Sequence, residues 1–393
     1  MAEAHAIPSP RSVRRVRRAG AEGVVRGLLA EVGLTLNGSA PTDPQVHNPN
    51  LYNRILAEGS LGLGEAYMDG WWDCERLDGF FERVVGGRID RGLHRSIGLA
   101  WQVLHARIAN RQNKRRVWRV ADVHYNLDVD VFEATFDKRL TGSCGYWASA
   151  DSLDAAQEAK LDLVCRKVDL QPGERVLDIG CGWGAFMGFA AERYGANCVG
   201  VTVSQVQADY GRARYANLPV EFQVKDYRDF VGRVDKIASM GMFEHVGSRN
   251  YRTYFEHARR WIADDGLFLL HSIWANEAYP TIDPWLDKYI FPNGCLPTVG
   301  QVGTAVEGLF VVENVENFGA DYDRTLMAWY DKFQSNRAAM AAKYGERFCR
   351  MWDYYLCSCA GGFRSRAISV GQFVLSPKGV PGGWRLRGKP AGR

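Results

Sequence analysis

Two ionisable residues, Glu244 and His245, stand directly behind an apolar run. The run KIASMGM (236–242) has the composition of a buried strand, and it leads into the two residues within the segment GMFEHVG. Charged groups rarely stand at the end of a buried strand unless something holds them there. Glu244 therefore either serves a site or caps a helix that starts near Ser248. Because adjacent residues point in different directions, His245 is expected to pack away from Glu244 as a structural residue.

A glycine-rich turn, VLDIGCGWG (176–184), follows one predicted strand and opens a predicted helix. Gly180 and Gly182 allow a tight turn and a close approach of the backbone to a ligand, and the helix start offers free N–H groups. Asp178 lies at the strand end, and the spacing is D-x-G-x-G instead of the G-x-G-x-x-G of dinucleotide sites. The pattern resembles the first motif of S-adenosylmethionine-dependent methyltransferases; the alternative is a simple glycine turn.

The next predicted strand contains no acid. Many nucleotide-binding folds end this strand with an acid that holds the ribose hydroxyls, but here the segment is GVTVSQVQ (200–207). Thr202 and Gln207 must therefore supply the polar contacts if a nucleoside binds. Asp226 and Tyr227, in VKDYRDF (224–230), are candidates to contact an adenine by hydrogen bond and by stacking.

These candidates fall at the ends of short apolar segments that alternate with helical ones. The predicted strands are 174–180, 197–203, 220–226, 236–242, 266–272, 310–318 and 369–376. This alternation predicts an α/β fold with a doubly wound, mostly parallel, Rossmann-like sheet, and the long helical segment 321–366 is expected to cover the site. The predicted organisation is a disordered basic arm (1–20), a small, mainly helical N-terminal domain (21–105), a basic linker (106–120) and a catalytic domain (121–393).

Composition places the chain among ordinary globular proteins. Its 393 residues are 46% hydrophobic and 24% charged, enough for two domains with a sizeable core. The apolar run 266–275 is far too short to span a membrane, and no apolar region follows the basic N-terminus to make a secretory signal. The nine cysteines are an odd number without a CxxC pair, so neither a disulfide framework nor a metal site is expected. These features favour a reducing cytoplasm.

The net charge is a modest +4, but many of the basic residues are concentrated in two clusters. The first comprises Arg11, Arg14, Arg15, Arg17 and Arg18. The second comprises Arg107, Arg111, Lys114, Arg115, Arg116 and Arg119. Each cluster fits a solvated surface or an anionic partner, either phospholipid head groups or nucleic acid. No nucleic-acid recognition motif accompanies them, so a nucleic-acid partner is not expected.

Six separated motifs, together with three upstream segments, resemble the cyclopropane-fatty-acyl-phospholipid synthase family. The motifs are VLDIGCGWG, GVTVSQVQ, KDYRD, GMFEHVG, YIFPNGCLP (289–297) and NFGADYDRTLMAWY (317–330). The upstream segments are NGSAPTDPQVHNP, EGSLGLGEAYMDGWWDC and HYNLDVDVF. The resemblance implies transfer of a methylene group from S-adenosylmethionine to the cis double bond of an acyl chain in phospholipid. It also implies a homodimer in the cytoplasm, peripheral to the inner face of an unsaturated phospholipid bilayer.

Such chemistry requires a base at the transferred methyl group, electron-rich surroundings for a carbocation-like centre, and exclusion of water. In the family that the sequence resembles, a bound bicarbonate ion is that base. Carried over position by position, the resemblance assigns the ion to the side chains of Glu244, His271 and Tyr322 and to backbone groups of Cys144 and Ile273. Glu244 and bicarbonate would repel each other, so they must share one proton, with His271 donating a further hydrogen bond.

The remaining site residues concern the cofactor and one thiol. The expected S-adenosylmethionine contacts are Ser143, Asp178, Gly180, Gly182, Thr202, Gln207, Asp226 and Tyr227. Cys359 matches a family position associated with reactive thiol behaviour, although its helical setting favours a packed small residue. His124 and Tyr125 are expected in a lid over the cofactor. The aromatic residues that fit either an acyl tunnel or plain core are Trp147, Trp285, Tyr289, Phe291 and Trp329.

The sequence departs from the family pattern in three places. HYNLDVD (124–130) replaces HYDxGND, Gly142 replaces a common tyrosine, and Trp274 replaces a usual glycine beside the expected ion site. These changes put cofactor affinity and acyl-chain selectivity in doubt. Three other functions remain open: a methyltransferase that forms a branch on the same alkene, a small-molecule N- or O-methyltransferase, and a nucleic-acid-binding protein without enzyme activity.

Overall fold

A seven-stranded sheet organises the larger part of the chain. The computed structural model describes residues 10–89, 128–279, 281–386 and 388, with side chains from residue 20 onward. The sheet strands are β3 (Arg175–Ile179), β4 (Asn197–Thr202), β5 (Val220–Val224), β6 (Val234–Met240), β7 (Ile262–Ala275), β8 (Val311–Asn317) and β9 (Ile368–Ser376). Each of the seven predicted strands is present.

The strand order is β5-β4-β3-β6-β7-β9-β8. The first five strands in that order pair in parallel, while β9 runs antiparallel between β7 and β8. The order steps outward from β3 in both directions, as in a doubly wound sheet, so the predicted α/β fold is confirmed. In such sheets, ligands bind beyond the carboxyl ends of the parallel strands, where the strand order reverses.

Helices cover both faces of the sheet and extend beyond it. Those that accompany the sheet are α6 (Leu153–Lys167), α7 (Ala185–Tyr194), α8 (Gln205–Arg214), α9 (Tyr251–Trp261) and α11 (Val299–Val306), whereas α10 (Pro284–Tyr289) packs outside the sheet through Trp285. The segment 321–366 forms two long helices, α12 (Ala320–Tyr344) and α13 (Glu346–Arg364), with Gly345 between them at φ 83°. A positive φ is favourable for glycine, which explains why the chain turns there.

The N-terminal region is mainly helical and packs on α13. Its elements are α1 (Pro10–Glu31), β1 (Gln45–Val46), α2 (Asn50–Glu58), α3 (Ser60–Met68), β2 (Trp72–Asp73) and α4 (Leu77–Gly86), and α5 (Val129–Glu133) follows later. Phe81 of α4 meets Tyr354 of α13 edge to face, and Arg364 of α13 pairs with Asp78 at 2.6 Å. One continuous apolar core therefore joins the N-terminal helices to α12 and α13.

The predicted basic arm, linker and lid lie partly or wholly outside the residues that the structure describes. Helix α1 begins at Pro10 and is interrupted at Gly20, so helical backbone enters the arm that was expected to be disordered. Proline suits the first position of a helix, and arginine has high helix propensity. Residues 1–9, the linker 106–120 and the lid residues His124 and Tyr125 lie outside the described residues. No helix within the described ranges is long and apolar enough to cross a membrane.

Candidate active site

The glycine turn leaves open space at the carboxyl end of β3. Gly180, Gly182 and Gly184 have φ values of 85°, 52° and 83°, which L-residues with side chains adopt only with strain. The Gly180 amide donates to Val201 O at 2.9 Å, which ties the turn to β4. A Cβ built on Gly182 would meet no described atom within 4 Å, whereas one on Gly180 would lie 2.7 Å from Met242. The turn therefore has room for a ligand at Gly182.

A buried lysine connects two of the expected cofactor residues. Lys160 on α6 is fully buried, and its Nζ donates to Ser143 Oγ at 2.8 Å. Burial lowers the pKa of Lys160 to about 8. Burial also raises the pKa of Asp178 to about 7, and the positive charge of Lys160 opposes that rise. Asp178 Oδ1 is buried without a hydrogen-bond partner in the part of the chain that is described.

Lys160 was not predicted from the sequence. In the segment QEAKLDLV it reads as one of the charged residues of an exposed helix face. The available signal was spacing, because Gln157, Lys160, Leu161 and Val164 lie on one helical stripe, and all four are buried. Gln157 also contacts the expected cofactor segment, since its side-chain amide donates to Ser143 O at 2.7 Å.

The expected nucleoside contacts divide into two groups. Thr202 Oγ1 bonds to Gln207 Oε1 at 3.3 Å and accepts from the Ser204 amide at 3.2 Å, so both residues stand at the start of α8 beside the glycine turn. Asp226 instead holds Arg228 through both carboxylate oxygens, at 2.7 and 2.6 Å.

Tyr227 is buried against Tyr254, with ring centroids 5.3 Å apart. The side chains of Asp226 and Tyr227 thus contact other protein side chains, and these contacts were not predicted from the sequence. The reason is local: the short helix Tyr227–Asp229 brings Arg228 back onto the carboxylate two residues earlier and turns Tyr227 into the core.

Glu244 lies in a short helical turn, Phe243–His245, after β6, and it does not cap the next turn. The N-cap of the helical turn Ser248–Asn250 is Gly247, so the capping interpretation is wrong. Glu244 Oε1 accepts from the Ile273 amide at 2.7 Å, while Oε2 is buried with no partner among the described residues. Burial raises the pKa of Glu244 to about 7, although the Ile273 amide and the Ser272 hydroxyl oppose the shift.

His271 stands near the end of β7 and is 1% exposed. Burial lowers its pKa well below the usual value, and the positive charges of Lys160 and Lys167 add to this effect, so the ring is neutral. Its Nδ1 lies 3.4 Å from Gln372 Nε2. Its Nε2 is buried and has no partner within the ranges that the structure describes. Glu244 and His271 thus each have one buried polar atom without a partner.

Tyr322, at the start of α12, completes this region, which is here called the anion pocket (Cys144, Glu244, His271, Ile273 and Tyr322). Its ring packs on Phe363 with centroids 4.5 Å apart. Burial raises the pKa of Tyr322 well above the usual value, and the nearby groups that add to the rise include Tyr355, Cys144 and Glu244. The structure therefore brings together residues that are far apart in the sequence.

The other residues expected around the ion differ in detail from the expectation. The Ile273 amide donates to Glu244 and so acts through that carboxylate. Cys144 is fully buried, with its Sγ 3.9 Å from Thr325 Oγ1. Cys359 is half-buried on α13, and burial raises its thiol pKa to about 12, which opposes formation of a reactive thiolate.

The structure also shows the surroundings of His245, Trp274 and the aromatic residues that the sequence pointed to. His245 is half-buried, with its ring 6.3 Å from that of Phe291 and its Nδ1 without a partner among the described residues, and its structural role stays a prediction. Trp274 packs on Phe373 at 5.7 Å in a different apolar core from the one that contains Tyr322, so it does not enter the anion pocket. The aromatic residues expected for a tunnel or a core all belong to buried regions or border them: Trp147, Trp285, Tyr289, Phe291 and Trp329.

Comparison with known proteins assigns the chain to a family. The family model for mycolic acid cyclopropane synthetase matches residues 112–373. The chain belongs to this family. It is 47% identical to cyclopropane-fatty-acyl-phospholipid synthase of Escherichia coli over 92% of this chain and 95% of that protein. It is 31% identical to a tuberculostearic acid methyltransferase of Mycobacterium tuberculosis over 90% of this chain and 88% of that protein.

Solved structures agree with this assignment. The crystal structure of the mycolic acid cyclopropane synthase CmaA1 complexed with SAH and CTAB is 33% identical, with a TM-score of 0.62. The match covers 66% of this chain and 97% of the CmaA1 chain. The chain is thus an S-adenosylmethionine-dependent methyltransferase by fold and family.

Proposed function

We propose that this protein transfers a methylene group from S-adenosylmethionine to the cis double bond of an acyl chain in membrane phospholipid, forming a cyclopropane ring. The observation that supports this most directly is that Glu244 Oε2 and His271 Nε2 are both buried and have no hydrogen-bond partner among the described residues. Each such atom costs free energy unless a ligand completes its hydrogen bonds. A small oxyanion would complete both.

The cofactor fits the space at the glycine turn. Gly182 leaves room for a ligand against the backbone, and Gly180 keeps the turn clear of Met242. Thr202 and Gln207 bond to each other where β4 leads into α8, and Lys160 bonds to Ser143 and interacts electrostatically with Asp178. These residues would orient the sulfonium methyl group toward the alkene, which is a weak nucleophile and reacts only when it is held in line at close range.

The anion pocket fits bicarbonate, which would supply a base for the proton that leaves the transferred methyl group. An ionised Glu244 accepts the O–H of such an ion at Oε2, while the Ile273 amide keeps its Oε1 in place. His271, buried and neutral, offers an N–H to a negatively charged oxygen. Tyr322 adds a protonated hydroxyl, because burial keeps its pKa well above the usual value.

Exclusion of water follows from the same packing. The pocket residues Cys144, Glu244 and His271 are all buried, and Tyr322 of α12 packs on Phe363 of α13. Water would otherwise trap a carbocation-like centre as an alcohol, so a dry pocket favours ring closure.

The fate of the transferred carbon tests the proposal. S-adenosylmethionine with a fully deuterated methyl group is supplied with unsaturated phospholipid vesicles, and the lipids are examined by mass spectrometry and proton NMR. Ring closure removes one deuteron from that carbon, so the product should carry two deuterons in a cis-cyclopropane ring. A product with an exocyclic alkene or a methyl branch would instead favour a branch-forming methyltransferase, consistent with the 31% identity to the tuberculostearic acid enzyme. Label found only in a water-soluble amine would contradict both.

We also propose a homodimer in the cytoplasm, peripheral to the inner face of the membrane. The dimer rests on the family resemblance and the cytoplasmic location on the cysteine pattern. The membrane contact rests on the second basic cluster, which lies in the linker outside the described residues. Each basic residue near an anionic bilayer contributes roughly 1 kcal/mol of binding, screened by salt. Replacing Arg115, Arg116 and Arg119 by glutamine should therefore weaken sedimentation with anionic vesicles at low salt and spare activity on detergent-dispersed lipid. Unchanged sedimentation would make the cluster a solvated surface only.

A further inference from the structure

Gln372 stands directly opposite His271 in the sheet. The two residues are Cα partners in the antiparallel pairing of β7 with β9, so their side chains lie on the same face. Gln372 is fully buried, and its side-chain nitrogen lies 3.4 Å from His271 Nδ1. No sequence motif drew attention to it, since SVGQFVLS reads simply as a strand.

The chemistry of the amide decides which ring nitrogen carries the proton. With the amide nitrogen of Gln372 facing the ring, Nδ1 must be the acceptor in this contact, because an amide nitrogen can only donate a hydrogen bond. The amide oxygen, Oε1, is then buried without a partner among the described residues. A neutral imidazole has one N–H, and when Nδ1 accepts, that N–H is on Nε2. The opposite tautomer would turn an N–H toward the amide hydrogens and leave a lone pair on the buried Nε2.

Within the described ranges, the charged group opposite Gln372 in the sheet is bonded elsewhere. Glu316 is the Cα partner of Gln372 on β8, but its carboxylate is turned to Lys167 at 2.5 Å and to the Tyr146 hydroxyl at 3.2 Å. His271 also contacts the ring of Phe318 at 5.6 Å, which restricts the orientation of the imidazole. The amide is therefore the polar neighbour that distinguishes the two ring nitrogens.

We propose that Gln372 is a positioning residue that selects the Nε2–H tautomer of His271, so that His271 presents a hydrogen-bond donor to the bound anion. This inference rests on the proposed function, because the anion is bicarbonate there. With the other tautomer, a lone pair would face the anion, repel its oxygen and compete with it for the departing proton. A partner that acts on the far ring nitrogen in this way resembles the outer contacts that orient histidine ligands at metal sites.

The tautomer can be measured without substrate. The protein is labelled with 15N at histidine, kept in bicarbonate-free buffer, and its long-range 1H–15N correlations are assigned for His271 by comparison with His271→Gln. The expected pattern is a protonated Nε2 and an unprotonated Nδ1. A protonated Nδ1 in the unchanged protein would overturn the proposal.

Two variants then test Gln372 itself. Gln372→Met keeps the approximate shape and removes the donor, so the preference for Nε2–H should decrease. Gln372→Glu supplies an acceptor, so Nδ1 should become protonated, and it serves as the test if the methionine variant does not fold. Phe373→Leu is the matched control, because it loosens β9 at the adjacent residue, whose side chain packs on Trp274. An unchanged tautomer in the Gln372 variants would overturn the assigned role.

A kinetic readout connects the tautomer to the reaction. Apparent affinity falls in proportion to the fraction of the binding-competent form. The bicarbonate concentration for half-maximal rate in Gln372→Met should therefore rise by at least the factor by which the Nε2–H fraction falls, with the KM for S-adenosylmethionine unchanged. A rise without any change of tautomer would indicate a merely structural role. If the unchanged enzyme does not respond to bicarbonate at all, the proposed ion is wrong, while the tautomer measurement still stands.

Discussion

The glycine turn, with the start of α8 beside it, and the anion pocket lie at the same edge of the sheet, but their polar groups are bonded differently. Beside the glycine turn, Thr202, Ser204 and Gln207 already bond to one another. In the anion pocket, Glu244 and His271 each keep a buried atom without a partner in the described chain. The polar groups of the first region are bonded to one another, whereas the second contains buried groups without partners among the described residues, which the proposed ion would complete. The comparison predicts that substitutions at the turn change binding and that those in the pocket change the rate.

The largest expected effect is that of Glu244→Gln. The variant retains an oxygen for the Ile273 amide but removes the negative charge that receives the ion's proton. Loss of a positioned base typically lowers the rate about a hundred- to ten-thousand-fold. Single-turnover measurements on unsaturated phospholipid should show this loss, with cofactor affinity unchanged by equilibrium binding. Glu256→Gln, an exposed residue paired with Arg252, is the control. Near-normal turnover in Glu244→Gln would remove the distinction between the two regions.

Two glycines of the turn should separate binding from rate. Gly182→Ala fills open space, so it should weaken cofactor binding only. Gly180→Ala would place Cβ 2.7 Å from Met242, two residues before Glu244, and should lower both binding and rate. Overpacking of this kind also lowers the free energy of unfolding by roughly 1–3 kcal/mol. Titration calorimetry and turnover should be compared for both variants; equal loss of rate in the two would mean that the regions are not separable.

The sequence was sufficient for the features that rest on local patterns. All seven strands follow from short apolar segments, and the glycine turn follows from a contiguous motif. Strand β7 shows where a local pattern ends. It begins at Ile262, earlier than the predicted 266, because Asp264 and Asp265 continue the strand but interrupt its apolar pattern.

The rest depends on contacts between distant segments. No spacing rule brings Glu244 beside the Ile273 amide or Gln372 beside His271, so the anion pocket was reached only through family resemblance. Lys160 was not predicted as a site residue because the residue type alone does not distinguish a buried lysine from an exposed one. The pairing of Asp226 with Arg228 was missed because it depends on a short helical turn and not on the strand before it.

The pH dependence should distinguish the pocket from the turn more finely. Burial raises the pKa of Glu244 to about 7, so its carboxylate gains a proton as the pH falls through that value. The ionised form accepts the ion's O–H, and the rate should therefore fall about tenfold per pH unit below the pKa. The measurement is kcat against pH at constant bicarbonate ion concentration. This acidic limb should be absent in Glu244→Gln; its survival there would assign it to another group.

The smallest expected effect belongs to Thr202→Val, which removes the hydroxyl and keeps the shape. The hydroxyl bonds to Gln207 and accepts from the Ser204 amide, so its loss loosens the start of α8 beside the cofactor. An ordinary hydrogen bond contributes about 0.5–1.5 kcal/mol, which corresponds to roughly a two- to twelvefold weaker cofactor affinity. The KM for S-adenosylmethionine should rise by that factor while kcat stays constant, because the contact is the same before and during the reaction. Thr202→Ser, which keeps the hydroxyl, should retain most of the affinity. If Thr202→Val instead lowers kcat as far as Glu244→Gln does, the turn takes part in the chemical step and the two regions act as one.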